Sequence, residues 1–286
     1  ELEAKRIVAQ GEVSPGKHVG RVGEDIAAGT VVLPAGRRLR PQDVGVLSSI
    51  GIAEVPVVRR PRVRVVVTGN ELLPAGSMPQ PPRIADSNGP MLAALVARDG
   101  GLPIAGAIVP DEPDAILRAM RDDTDREGAD LVLVSGGSSV GQEDHAAVLL
   151  AKYGWLPIHG LAMRPSSPMG MGLLDDRPVF LLPGNPVSCL CGYDFFAGRA
   201  IRLSGGRPTD WPYRRVTATL ARKIVSTVGR LDYMRVRLVE GRVEPLAIGG
   251  ASVLSSTTRA DGFVLVPPDS EGYPPGTEVE VYLYEG

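Results

Sequence analysis

The sequence predicts an α/β protein: a central, mostly parallel, doubly wound sheet flanked by β-rich modules. Three apolar runs, "RVRVVVTG" (62–69), "LPIAGAIV" (102–109) and "ADLVLVSGG" (129–137), lack clean polar alternation, as strands buried on both faces do. Helix-like segments separate these runs, and strand–helix–strand alternation argues for right-handed crossovers with helices on both faces. Outside this centre the apolar groups are short and broken by turn residues, the texture of small antiparallel modules.

Taken in order, "GEVSPGKHVGRVGEDIAAGTVVLPAGRRLRP" interrupts its apolar groups with Gly and Pro every few residues, which predicts short strands and turns. "PQDVGVLSSIG" then reads as a helix with Pro41 early and Gly51 as its stop. After the run at 62–69 come helices over 88–101, 111–123 and 143–154. "SPMGMGLLDDRPVFLLPG" predicts a hairpin turning at Asp175-Asp176, and 185–206 predicts one long helix ending at Gly205-Gly206. Four alternating segments complete the chain. The expected domains are 1–60 (β-rich), 61–206 (α/β) and 207–286 (β).

The 286 residues carry a net charge of −2, so no global basic field recruits nucleic acid or anionic lipid. No apolar run is long enough for a bilayer-spanning helix. The two cysteines, Cys189 and Cys191, sit two apart on the long helix. They point to different sides, which suits small buried residues of a reducing cytosol better than a disulfide. The three histidines lack zinc spacing.

In an open parallel sheet, ligands collect beyond the carboxyl ends of the strands. Three polar loops fall there: "TGNEL" (68–72), "SGGSSVGQED" (135–144) and "LPGNPVS" (182–188). Gly136 and Gly137 let a main chain approach a ligand closely, and amides there and at the following helix start suit phosphate. Ser135, Ser138 and Ser139 add hydroxyls. Asn185 reads as a helix cap, Pro186 as the first helical residue, and Gly184 as a point of close approach. Asp144 is either a helix-dipole partner or, beside such a loop, a ligand for a hard cation such as Mg2+. Glu71, Asp86 and Glu143 are further carboxylates near this edge. The pattern points toward phosphoryl or nucleotidyl chemistry and goes no further than that class.

At these motifs the chain resembles the molybdopterin molybdenumtransferases, the MoeA and gephyrin E-domain family. "SGGSSVGQEDH" is similar to that family's S-G-G-x-S-V-G-x-x-D signature, and "TGNEL", "IADSNGPML", "HGLAMRPSSP", "LPGNPVS", "GRLDYMRVRL" and "SSTTRADGFVLVP" follow its order. The resemblance implies a MoaB/MogA-like central domain and the last step of molybdenum-cofactor synthesis. There, molybdate enters adenylylated molybdopterin and AMP leaves, with Mg2+ assisting, in a cytoplasmic homodimer. It implies Asp144 as the metal-linked acid and Arg164 as an anion contact. It places Gly69, Asn70, Glu71, Asp86, Asn88, Ser135, Gly136, Gly137, Ser139, Gly184, Asn185 and Pro186 around the pterin nucleotide. Arg230, Arg235, Ser255 and Ser256 would hold molybdate from the β-tail. The family's M-D-G-Y/F-A motif does not occur. Asn70 stands where an aspartate is frequent, and Pro165-Ser166-Ser167-Pro168 replaces P-G-K-P, removing a lysine. A weakened, binding-only or scaffolding relative is therefore the alternative expectation.

Overall fold

The computed structural model describes residues 11–121, 128–136, 145–246 and 250–284. The chain divides into two compact units, Glu1–Pro56 and Val57–Gly286. In the first, the one regular element among the described residues is helix α1 (Pro41–Ser49). Its buried Asp43 accepts the Arg40 amide and the Arg37 and Arg40 guanidinium groups, anchoring the first turn. The short strands expected here do not form among residues 11–56. Gly and Pro at close intervals close local turns instead, such as Lys17 N–H to the Ser14 carbonyl and Thr30 N–H to that of Ala27. No ladder partner remains for the extended stretches between them.

The second unit begins with the predicted sheet. Its strands are β1 (Arg62–Thr68), β2 (Leu102–Val109), β3 (Leu131–Ser135), β4 (Trp155–His159), β5 (Gly170–Leu174) and β6 (Arg177–Leu182), in the order β2-β1-β3-β6-β5-β4. The first four in that order run parallel, with Val63 opposite Leu131 and Val132 opposite Val179. Helices α2 (Asn88–Arg98), α3 (Pro113–Arg121) and α4 (His145–Tyr153) are followed by one helical run from Pro186 to Ser204. That run consists of α5 (Pro186–Gly192), a π-turn (Tyr193–Ala197) and α6 (Gly198–Ser204). Val63, Val65, Val67 and Leu133 pack with Leu92, Val96, Cys189 and Ile201 on one face. Val66, Val132 and Val134 pack with Ile116, Met120 and Leu150 on the other. Burial on both faces is why β1 and β3 carry no alternation; β2, expected to be buried in the same way, is the edge strand and is exposed at Leu102, Pro103, Gly106 and Ala107.

Asp175 and Asp176 turn the β5–β6 hairpin with φ of 50° and 60°, the geometry of the tightest hairpin loops. Strand β4 is not visible in the sequence. It is an edge strand broken by Pro157 and mostly exposed, so it leaves no apolar period.

The tail folds as β7 (Arg214–Leu220), β8 (Leu231–Val239), β9 (Arg242–Pro245), β10 (Gly262–Val266) and β11 (Glu278–Leu283), with helix α7 (Ser255–Arg259). The pairings β9-β7-β11-β10-β8 close when β8 also pairs with β9, so these strands form a ring around Val236, Val243, Val264 and Val281. The two-residue strand Met163–Arg164 adds to the outside of β8. Most of the chain's few aromatics gather between this ring and α5. Phe263 stacks on Tyr233 with centroids 4.1 Å apart, and Phe195, Trp211 and Tyr213 surround them. The π-turn presents buried Asp194 to the Arg98 guanidinium (2.9 Å) and the Tyr213 hydroxyl (2.8 Å), and its carbonyl to the Trp211 indole (2.8 Å). This network and the aromatic cluster fix the ring against the sheet.

Candidate functional site

Strands β1, β3 and β6 end side by side at Thr68, Ser135 and Leu182. Gly136 follows with φ +101°, and a Cβ there would lie 2.5 Å from the Thr68 carbonyl oxygen, so only glycine fits between these strand tips. Asn88, buried in the first turn of α2, donates through Nδ2 to Ser135 Oγ (2.9 Å) and to the Gly184 carbonyl (2.8 Å). One side chain thus ties the start of α2, the end of β3 and the β6–α5 loop. Because the Gly184 carbonyl can only accept, the amide's orientation is determined, and its buried Oδ1 has no hydrogen-bond partner among the described residues. The Thr68 hydroxyl is likewise buried with no partner among the described residues.

Around this hub, Asp86 Oδ1 accepts the amides of Asn88 (2.9 Å) and Gly89 (3.0 Å), capping α2 from just before its start. Asn70 and Asp111 bond reciprocally, amide to side chain in each direction. Glu71 is exposed beside Gly69. Pro186 opens α5 as expected, whereas Asn185 occupies the cap position without a side-chain cap bond. Asn185 is exposed, so water competes for its amide, and it contributes only its carbonyl, to the Cys189 amide. Behind Ser135, burial pushes the Cys189 thiol up to about 12. Gly137, Ser138, Ser139, Glu143 and Asp144 lie outside the described residues.

The arginines divide. Arg164 donates to Asp232 Oδ2 (2.6 Å), and Arg230 approaches Oδ1 of the same fully buried carboxylate at 3.3 Å. The Ser226 hydroxyl also donates to Oδ2. Two cations on one anion leave a net positive charge, and about half of the Arg164 side chain remains accessible. Arg235 stands three residues from Asp232, hence on the opposite face of β8. Its charge reaches Cys191 and Tyr284. Ser256 is buried with its hydroxyl given to the Val253 carbonyl, while Ser255 is exposed and accepts from Arg259. The ring meets the rim where the Val187 amide of α5 donates to the Ala251 carbonyl (2.9 Å).

Asp111 and Asp232 join the candidate site without having been selected from the sequence, and Thr68 was selected only as the start of the 68–72 loop. The strand-end rule that selected the other loops also selects Asp111, two residues beyond β2. Asp232 sits inside an alternating strand and carries no local signal. Among the described residues no group of three or more His, Cys, Asp or Glu is placed to hold a metal ion. Asp86 already gives one oxygen to two amides, so the described donors alone do not make a magnesium site. The rim can bind through main-chain amides and hydroxyls, and the Arg164–Arg230 pair can meet an oxyanion.

A doubly wound sheet with a glycine-lined rim and a docked β-ring defines an α/β protein that binds a ligand at its strand ends. Residues 64–202 match the family described as "Probable molybdopterin binding domain", 217–284 the MoeA C-terminal region (domain IV), and 1–51 the MoeA N-terminal region (domain I and II). Molybdopterin molybdenumtransferase 2 of Mycobacterium tuberculosis is 33% identical over 95% of this chain and 68% of that protein. Molybdopterin molybdenumtransferase of Haemophilus influenzae is 31% identical over 93% and 67%. The crystal structure of the molybdopterin biosynthesis MoeA protein of Pyrococcus horikoshii superposes with a TM-score of 0.79 at 31% identity, covering 92% of this chain and 64% of that one. The chain belongs to the MoeA family of molybdopterin molybdenumtransferases and spans about two thirds of the length of these relatives. No described helix is long and apolar enough to cross a membrane.

Proposed function

We propose that this chain carries out the molybdenumtransferase step, in which molybdate is inserted into adenylylated molybdopterin and AMP is released. The observation that carries the proposal is the Asn88 tie, which holds Ser135 and Gly184 at one point beyond the ends of three parallel strands. Pre-positioned donors at such a rim bind an anionic linkage without reorganising when charge develops on it. In this reading Ser135, Gly136, Gly137 and Ser139 contact the phosphate side of the nucleotide. Gly184, Asn185 and Pro186 border it, and Gly69, Asn70, Glu71 and Asp86 line its approach. Arg164 and Arg230, held by Asp232, meet molybdate, and Ser255 adds a hydroxyl from α7. Arg235 and Ser256 support the ring rather than the ligand, because of the strand face and the hydroxyl bond described above. Mg2+ held through Asp144 supplies charge neutralisation. The enzyme works as a cytoplasmic homodimer.

The test supplies adenylylated molybdopterin, molybdate and Mg2+ to the chain and follows AMP. Molybdate-dependent release is expected. Nucleotide binding without turnover identifies a binding-only relative, and absence of both binding and release rejects the proposal.

A further inference from the structure

Helix α5, the π-turn and α6 form one rod with two buried sides. Cys189, Tyr193, Ala197 and Ile201 face the sheet core, while Val187, Cys191 and Phe195 face the aromatic cluster of the β-ring. Arg199 continues the second row, with its guanidinium 5.1 Å over the Trp211 ring. Each row steps by four residues. In an α-helix such a row drifts by about 40° per step, or about 120° from Cys189 to Ile201. A π-turn bonds five residues back instead of four, so it adds one residue to a turn and takes up most of that drift. Both rows stay aligned, and the rod serves sheet and ring as a common wall.

The same turn supplies a lock. Arg98 at the end of α2, Asp194 in the π-turn and Tyr213 at the entry to β7 bond mutually. Arg98 donates to Asp194 at 2.9 Å and to the Tyr213 hydroxyl at 2.7 Å, and that hydroxyl donates to Asp194 at 2.8 Å. Three bonds among three elements close a triangle, which fixes their orientation as no single pair does. Asp99 backs it, accepting from Arg98, Tyr193 and Arg202. The lock joins the two halves of the candidate site. Asn88, the tie of the rim, and Arg98 are the first and last residues of α2, about 15 Å apart. Arg164 and Arg230 share Asp232 on β8 of the ring. The angle of the ring against the sheet therefore sets the separation of the two arginines from the rim.

We infer that Asp194 is a positioning residue: through Arg98 and Tyr213 it holds the β-ring at the angle that brings the Arg164–Arg230 pair to a ligand on the rim. Asp194 is fully buried and does not meet the ligand itself. An oxyanion on the arginines and an anionic linkage at the rim must come within reacting distance, and a misplacement of about 1 Å costs about 100-fold in rate. The role in turnover rests on the molybdenumtransferase reading; the hold on the ring does not.

The experiment places nitroxide labels at the exposed positions Val148→Cys on α4 and Arg237→Cys on β8, while Cys189 and Cys191 are buried and stay unlabelled. Double electron–electron resonance, with labelled chain diluted into unlabelled, reads the distance from sheet to ring. AMP release and nucleotide affinity are measured on the same variants. Asp194→Asn should broaden the distance distribution and lower AMP release at saturating nucleotide about tenfold or more. Its affinity for adenylylated molybdopterin should stay within about twofold of wild type, because the Asn88 tie is untouched. The triple variant Arg98→Met, Asp194→Leu, Tyr213→Phe removes the triangle without stranding a buried charge, so its Tm should stay near wild type while turnover remains low. An unchanged distance distribution in Asp194→Asn, full AMP release by either variant, or nucleotide affinity lost in step with turnover overturns the inference. If the wild type releases no AMP, the enzymatic reading falls, and the distance measurement decides by itself whether Asp194 holds the ring.

Discussion

Replacing Asn88 with alanine separates stability from function at this site. The change removes two hydrogen bonds, to Ser135 and to Gly184. Each is worth about 1 kcal/mol net, and the small void adds about 1 kcal/mol more. Against this, the buried Oδ1, which has no partner among the described residues, disappears, and a buried acceptor left without a partner costs about 1–3 kcal/mol. The Gly184 carbonyl belongs to an exposed residue and can take water in place of the amide. The net loss is therefore about 1 kcal/mol, a fall of about 2–4 °C in Tm. The loops proposed to bind the nucleotide lose their common tie, however, and AMP release should drop by about tenfold or more. Thermal denaturation and the release assay on the same preparation decide the matter. A stability loss above about 3 kcal/mol would show that Oδ1 carries no such penalty in the native protein, and unchanged AMP release would show that Asn88 organises nothing.

Gly136→Ala should cost about 2–4 kcal/mol in urea denaturation, because both its positive φ and the Thr68 carbonyl oppose a Cβ; a midpoint within error of wild type refutes the packing of these strand tips. Arg37, followed by Arg40, holds the Asp43 carboxyl well below the usual carboxylate range. A depressed native value means that its contribution is present above the unfolded value near about 4 and is lost as pH falls through the native one. Amide exchange across Pro41–Ser49, corrected for intrinsic rates, should lose protection on acidification, and Asp43→Asn should remove that dependence. Burial raises both thiols, Cys189 to about 12 and Cys191 well above its ordinary value. The native protein should therefore resist iodoacetamide at pH 8 and react at both cysteines after denaturation.

What could be read in advance followed local physics. The buried runs ending at Thr68 and Ser135 became parallel strands, the Asp175-Asp176 pair became a hairpin turn, and Pro186 opened its helix. Strand β4 was missed because an exposed edge with a proline carries no period. The strands expected before Pro41 do not form among the described residues, because Gly and Pro spacing marks turns equally well and only a pairing partner makes a strand. The π-turn at Tyr193–Ala197 left no trace either, since its value lies in aiming Asp194 at Arg98 and Tyr213, residues far away in the chain.

The sequence by itself determined the layered fold, the loops at the strand ends and the family, because each follows from hydrophobic period, turn chemistry and ordered motifs within short windows. Which of these groups come together was decided only by tertiary structure. Arg164, Arg230 and Arg235 look alike as letters, yet two share the Asp232 carboxylate while the third turns to the other side of β8. Asn88 becomes the tie of the site only when residues 47 and 96 positions away are brought against it. Hydrogen bonds and ion pairs depend on distance and direction in space, and a linear chain specifies those only once its core has packed.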